Sequence, residues 1–161
     1  MTEKPEDDAP VEIRHSPIHG TGLFATRPID QGEILCEYRG ERITKEESRR
    51  RTEAAEPGAS VFTVSLDERT DIDGDVPANP AKFANHGCMP GALLRRVGAK
   101  LHLVASRQIN PGEEILFDYG FGLAESLGRP CRCGAPSCVG RIIAEPLRPL
   151  LKKHFRTRGV R

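Results

Sequence analysis

The 161 residues suit a single domain. With 24 Lys and Arg against 23 Asp and Glu the formal net charge is +1, which excludes a uniformly basic nucleic-acid binder and an acidic disordered chain. No apolar run approaches the ~18 residues of a membrane-spanning helix, and the acidic opening MTEKPEDDAP lacks signal-peptide features, so an intracellular protein with no membrane partner is expected.

Residues 1–10 read as disordered. From 11 to 44, VEIRHSPIHGTGLFATRPIDQGEILCEYRGERIT alternates short apolar stretches with Gly, Pro and Asp turns, the pattern of several short strands. Thr44-x-x-Glu47 is a capping box that opens a charged helix, KEESRRRTEA, stopped by Pro57-Gly58. VFTVSL reads as a strand and RTDIDGDVPANP as a loop; LLRRV and KLHLVASR pair as a hairpin around Gly98-Ala99. Pro111-Gly112 is a turn, EILFDY a final strand and GLAESLGRP a linker. From Arg141 onward seven Lys and Arg face one acid, Glu145, a charge run of the kind that is usually solvated or disordered. The predicted class is mainly β with few short helices.

Of five cysteines, three crowd into CRCGAPSC: Cys131, Cys133 and Cys138. A reducing compartment disfavours disulfides, and three thiolates at this spacing can surround one ion. Structural zinc takes four ligands, so a fourth must come from elsewhere. Cys88, in the turn-rich string NHGCMPG, is the better candidate; Cys36, in EILCEY, reads as a small core hydrophobe. Other motifs fail. Gly20-Thr21-Gly22 opens a dinucleotide fingerprint whose third glycine is Ala25. Asp71, Asp73 and Asp75 resemble a calcium loop, but Val76 and Lys82 occupy its Gly and Glu positions, leaving solvated turn acids.

Five strings, in order, change the picture: HGTGLFA at 19–25, EYRGE at 37–41, KFANHGCMPG at 82–91, EILFDYGF at 114–121 and CRCGAPSCVGRI at 131–142. Together they resemble a SET-domain protein lysine methyltransferase followed by its cysteine-rich post-SET segment. The resemblance implies small curved sheets around a knot-like crossing of NHGCMPG and EILFDYG, which should be tightly packed. It divides the chain into a disordered N-terminus (1–10), a SET domain (11–121), a linker (122–130), a post-SET zinc segment (131–145) and a basic C-terminal tail (146–161).

The resemblance also implies roles. S-adenosylmethionine would be the methyl donor, held by Gly20, Thr21 and Gly22, by Asn85 and His86, and by apolar walls from Phe62 and Phe83. Tyr119 and Tyr38, the only tyrosines in the chain, would orient the substrate amine, with Asp118 structural. Phe117, two residues before Tyr119, would set the number of methyl groups, and as Phe it implies products beyond monomethyl-lysine. Zinc would be held by Cys88, Cys131, Cys133 and Cys138. Departures from the family pattern are Gly87 for Ser, Gly91 for Asn, Leu116 for Thr and Lys82 for Arg. They motivate a rival reading, a catalytically weak or inactive binding module. A third, motivated by RPLLKKHFRTRGVR, is nucleic-acid contact by the basic tail. The expected partner is a protein bearing a target lysine, such as a histone, met by a monomer. The location would be cytoplasmic in a bacterium and nuclear in a eukaryote.

Overall fold

The structure is a computed structural model that describes residues 9–56 and 59–157. The expected disorder of residues 1–8, the Pro57-Gly58 stop and the last four residues of the tail lie outside the described residues. Among the described residues ten short strands form four small sheets. β1 (Val11–His15) pairs antiparallel with β2 (Thr21–Ala25). β3 (Ile34–Glu37) and β8 (Ala92–Val97) flank β9 (Lys100–Ala105). β4 (Glu41–Thr44) and β5 (Thr63–Ser65) flank β6 (Thr70–Asp73). β7 (Asn85–His86) runs parallel to β10 (Leu116–Phe117). Three short α-helices, α1 (Lys45–Ala54), α2 (Leu123–Ser126) and α3 (Arg148–Thr157), complete the fold. This is the mainly β class with few helices that the sequence implies.

Local chemistry sets several boundaries. The Thr44 hydroxyl accepts from the Glu47 N–H at 3.1 Å and starts α1, an interaction of about 1 kcal/mol. The capping box is half used, because the Glu47 carboxylate turns to Arg50 and Arg51 instead. The hairpin of β8 and β9 turns on Gly98-Ala99 as expected, and Gly98 takes φ +61°, which a primed turn asks of its first central residue. Differences arise where distant charges intervene. The expected loop at 69–80 contains β6: Asp71 is buried against Lys45, and Asp73 accepts from Arg51 at 2.7 Å, so only Asp75 is an exposed acid. EILFDY contributes only Leu116–Phe117 as strand; upstream, residues 109–115 run antiparallel to 23–29 through single bridges. The linker contains α2, with Ser126 fully buried, and part of the tail folds as α3 because Leu151 finds a buried place.

Two aliphatic cores result. One joins Leu23, Ile29, Leu103, Ile109, Ile115 and Phe117; the other joins Ile72, Leu66, Leu101 and Tyr38. Cys36 touches both, as a small core residue should, and burial pushes its thiol up to about 12. Tyr119 packs on the first core and Tyr38 belongs to the second, so the two tyrosines meet where the cores adjoin.

β7 and β10 come from the two strings expected to cross. Gly87 N–H donates to Phe117 O and Gly91 N–H to Leu116 O, at 3.2 and 3.1 Å. A Cβ on Gly87 would lie 2.7 Å from the Leu116 Cβ. Gly87 therefore leaves free the space against which the Leu116 side chain packs. Gly91 faces the end of Arg107, which can move, and Ile109 Cδ1 at an ordinary contact distance of 3.6 Å.

Candidate functional site

A narrow groove lies between the cores, lined by Tyr38, Phe62, Ala84, Phe117, Tyr119 and Phe121, with Lys82 at its wall. Tyr38 follows β3 and is fixed by its N–H on Leu101 O; its hydroxyl donates to Phe62 O at 2.7 Å. Gly74 leaves the ring its space, since a Cβ there would meet Tyr38 Cε1 at 2.5 Å. Tyr119 follows β10 and donates its hydroxyl to Ala84 O at 3.1 Å. Its ring meets those of Phe117 (5.0 Å), His86 (5.4 Å) and Phe121 (5.6 Å). Burial pushes the Tyr119 phenol up to about 12 and the Tyr38 phenol higher still. Both are neutral near pH 7, and each directs its one proton to a backbone carbonyl. The phenol lone pairs remain as acceptors on a groove with largely aromatic walls.

Asp118 offers no general base: Oδ1 accepts from Gly120 N–H and Oδ2 from Glu145 N–H, both at 2.9 Å. Lys82 pairs with Asp75 at 3.2 Å, and its Nζ stands 5.5 Å from the ring centres of Phe62 and Phe83. Phe62 therefore belongs to the tyrosine groove, whereas Phe83 is not among its lining residues.

Beside the groove, Asn85 joins the Gly20-Thr21-Gly22 loop. Its Nδ2 lies 3.1 Å from His19 O, 3.1 Å from Thr21 O and 2.8 Å from Glu114 Oε1. The Ser16 hydroxyl donates to Glu114 and accepts from the N–H groups of Ile18 and His19, which shapes the loop before Gly20. Gly22 is required here: a Cβ would fall 2.5 Å from Glu114 Oε1.

His86 links the groove to the cysteines. Its Nδ1 accepts from Tyr119 N–H at 3.2 Å, so the ring proton belongs on Nε2, which faces Cys88 Sγ at 3.7 Å. Burial lowers the His86 pKa, consistent with a neutral ring. The sulfurs of Cys88, Cys131, Cys133 and Cys138 all lie within 4.8 Å of one another, and Cys88 to Cys131 is 3.8 Å. A tetrahedron with Zn–S near 2.3 Å has an edge of about 3.8 Å, so the thiol set fits zinc. Burial pushes Cys88 up to about 11 and Cys131 further. Burial acts on Cys133 too, but N–H groups of Cys88 and Ala135 donate to its sulfur and bring it down to about 7.

The candidate residues thus gather into three adjoining places: Tyr38, Phe62, Phe117 and Tyr119 in the groove; Gly20, Thr21, Gly22 and Asn85 at the loop; and the four cysteines, with His86 between groove and cluster. Sequence reading missed Glu114, Ser16, Phe121 and Arg129. Arg129 donates to Ala59 O and stands 5.2 Å from the Phe121 ring, tying the segment after the groove to the loop before Phe62. A charged residue opening the apolar EILF was the available sign of Glu114.

Comparison with known proteins accords with this geometry. The SET domain family model matches residues 20–120, and the chain belongs to the SET-domain family. It is 35% identical over 134 residues, 80% of the chain, to human "Histone-lysine N-methyltransferase 2B". To "Histone-lysine N-methyltransferase, H3 lysine-4 specific" of Schizosaccharomyces pombe it is 37% identical over 133 residues, 79% of the chain. To "Histone-lysine N-methyltransferase trr" of Drosophila melanogaster it is 34% identical over 134 residues, 80% of the chain. The chain spans 5%, 14% and 6% of those relatives' lengths. Among the described residues no helix is long and apolar enough to cross a membrane.

Proposed function

We propose that the protein is a protein-lysine N-methyltransferase using S-adenosylmethionine, with histone tails as its substrate class. The observation that carries the reading is the pair of neutral tyrosine hydroxyls, each donating to a backbone carbonyl, on one aromatic groove. When bound, S-adenosylmethionine supplies a methyl group on a sulfonium. Tyr119 and Tyr38 accept hydrogen bonds from the N–H groups of the substrate amine and aim its lone pair. An amine must be neutral to attack, whereas free lysine has a pKa near 10.4. The apolar walls and the charge of Lys82 both disfavour an ammonium, so the proton leaves to water as the side chain enters. Phe62, Phe117 and Phe121 hold methylated nitrogen through their ring faces.

The Gly20–Gly22 loop and Asn85 hold the donor's amino-acid end. Four thiolates from Cys88, Cys131, Cys133 and Cys138 hold one zinc and pin the C-terminal segment beside the groove; the His86 Nε2–H supports the Cys88 sulfur from behind. Phe117 carries no hydroxyl to anchor a water where a methylated amine must turn, so the enzyme proceeds to di- or trimethyl-lysine. Incubating zinc-loaded protein with S-adenosylmethionine and histone H3 tests the reading. Methylated lysine found by mass spectrometry supports it. Donor binding by calorimetry with no methyl transfer favours the rival, an inactive binding module. A chromosomal location goes with a histone substrate.

A further inference from the structure

The Asn85 amide sits among three oxygens. His19 O, Thr21 O and Glu114 Oε1 all lie within 3.1 Å of one atom of its carboxamide, and all three are acceptors. Only the NH₂ end can face them; the reverse orientation would set a carbonyl oxygen against three others. Asn85 Oδ1 therefore points the other way. Among the described residues no group donates to it, yet it is not among the buried atoms that lack a partner, so it is open to a ligand. Of the three oxygens, the two carbonyls belong to the loop itself, whereas Glu114 is a side chain at 2.8 Å from the segment running beneath it. The Ser16 hydroxyl holds the same carboxylate oxygen at 2.8 Å, and the absence of a Cβ at Gly22 lets that oxygen come close to the loop. Oε1 is thereby fixed from two sides.

We propose that Glu114 is a positioning residue for donor recognition. By accepting from Asn85 Nδ2 it locks the amide so that Oδ1 receives the ammonium of the methyl donor. This rests on the reading of the Gly20–Gly22 loop as the donor's seat. A hydrogen bond between a neutral oxygen and an ammonium discriminates strongly against a ligand that lacks the charge, since its loss leaves the acceptor unpaired. Ser16 and Asn85 are neutral donors and leave the carboxylate its charge, so positioning through Asn85 is separated from direct attraction by Glu114→Gln, which keeps the acceptor and removes the charge.

The test compares S-adenosylhomocysteine with its desamino analogue by calorimetry, both measured on one zinc-loaded preparation so that any misfolded fraction cancels from the ratio. The wild-type protein prefers the amine-bearing ligand by roughly tenfold or more, as charge-assisted hydrogen bonds imply. Glu114→Ala lowers that preference, the two loop carbonyls still accepting from the amide, while the desamino ligand binds much as before. Glu114→Gln keeps it, because the Gln carbonyl oxygen still accepts from Asn85 Nδ2. Glu114→Asp, too short to reach Asn85, lowers it too although the charge remains. Equal weakening of both ligands in Glu114→Ala would make Glu114 merely structural and overturn the proposal. Loss in Glu114→Gln with retention in Glu114→Asp would overturn it in favour of direct attraction by the charge. Failure of the wild-type protein to bind either ligand would instead overturn the donor site itself.

Discussion

Metal uptake by the four cysteines should be strongly pH-dependent, and the structure sets the size of the effect. In the metal-free protein burial holds Cys88 near 11 and Cys131 higher, so both are thiols at pH 7.5, while Cys133, near 7, is mostly thiolate. Tetrahedral zinc ligation needs thiolates, so binding releases at least the Cys88 and Cys131 protons. Each released proton makes the affinity change tenfold per pH unit, so these two give at least a hundredfold per unit. The sign is fixed: protons compete with metal, and affinity falls as pH falls. Below pH 7 Cys133 also takes up a proton, and the dependence steepens by up to a further tenfold per unit. Competition against a chromophoric chelator between pH 6.5 and 8.5 measures the slope, and an indicator in weakly buffered solution counts the protons. Fewer than one proton released per zinc, or an affinity flat across this range, would refute the four-thiolate site.

Three further outcomes are expected. Tyr119→Phe should abolish turnover on a substrate peptide while leaving calorimetric binding of S-adenosylhomocysteine nearly intact, because the hydroxyl serves the amine; near-normal turnover would remove that role. Gly87→Ala should destabilise the protein by about 1–3 kcal/mol through overpacking on Leu116; combining it with Leu116→Gly, which removes the clashing Cβ, should cost less than the sum of the two single changes in denaturant titrations, and strict additivity would show that the two positions do not share space. Phe117→Tyr should shift the product toward monomethyl-lysine in mass spectra taken at long reaction times, and an unchanged product distribution would make Phe117 ordinary core.

The elements legible in the sequence are those written by local chemistry. The capping box at Thr44 gave α1 from Lys45 to Ala54, and Gly98-Ala99 gave the hairpin, because a turn and a cap need only their neighbours. The thiol spacing at 131–138 marked the cluster, although Cys88 needed the family pattern to stand above Cys36. What stayed hidden depends on distant partners. The acids of β6 looked like loop because Lys45 and Arg51, which neutralise two of them, lie 26 and 22 residues away. Glu114 meets Ser16 across 98 positions and Asn85 across 29, so its neighbours show a charge opening an apolar run but not what it binds. Gly87 removes the family's hydroxyl, and only the fold shows Leu116 in the space beside it. The basic residues after Arg141 masked α3, whose hold on the domain is Leu151.

The central claim is that the groove between Tyr38 and Tyr119 methylates a protein lysine. The most direct measurement is mass spectrometry of an intact histone H3 tail peptide after long incubation with zinc-loaded protein and S-adenosylmethionine. The account predicts one modified lysine carrying two or three methyl groups. An unmodified peptide, from protein shown to contain its zinc and to bind the donor, would contradict it.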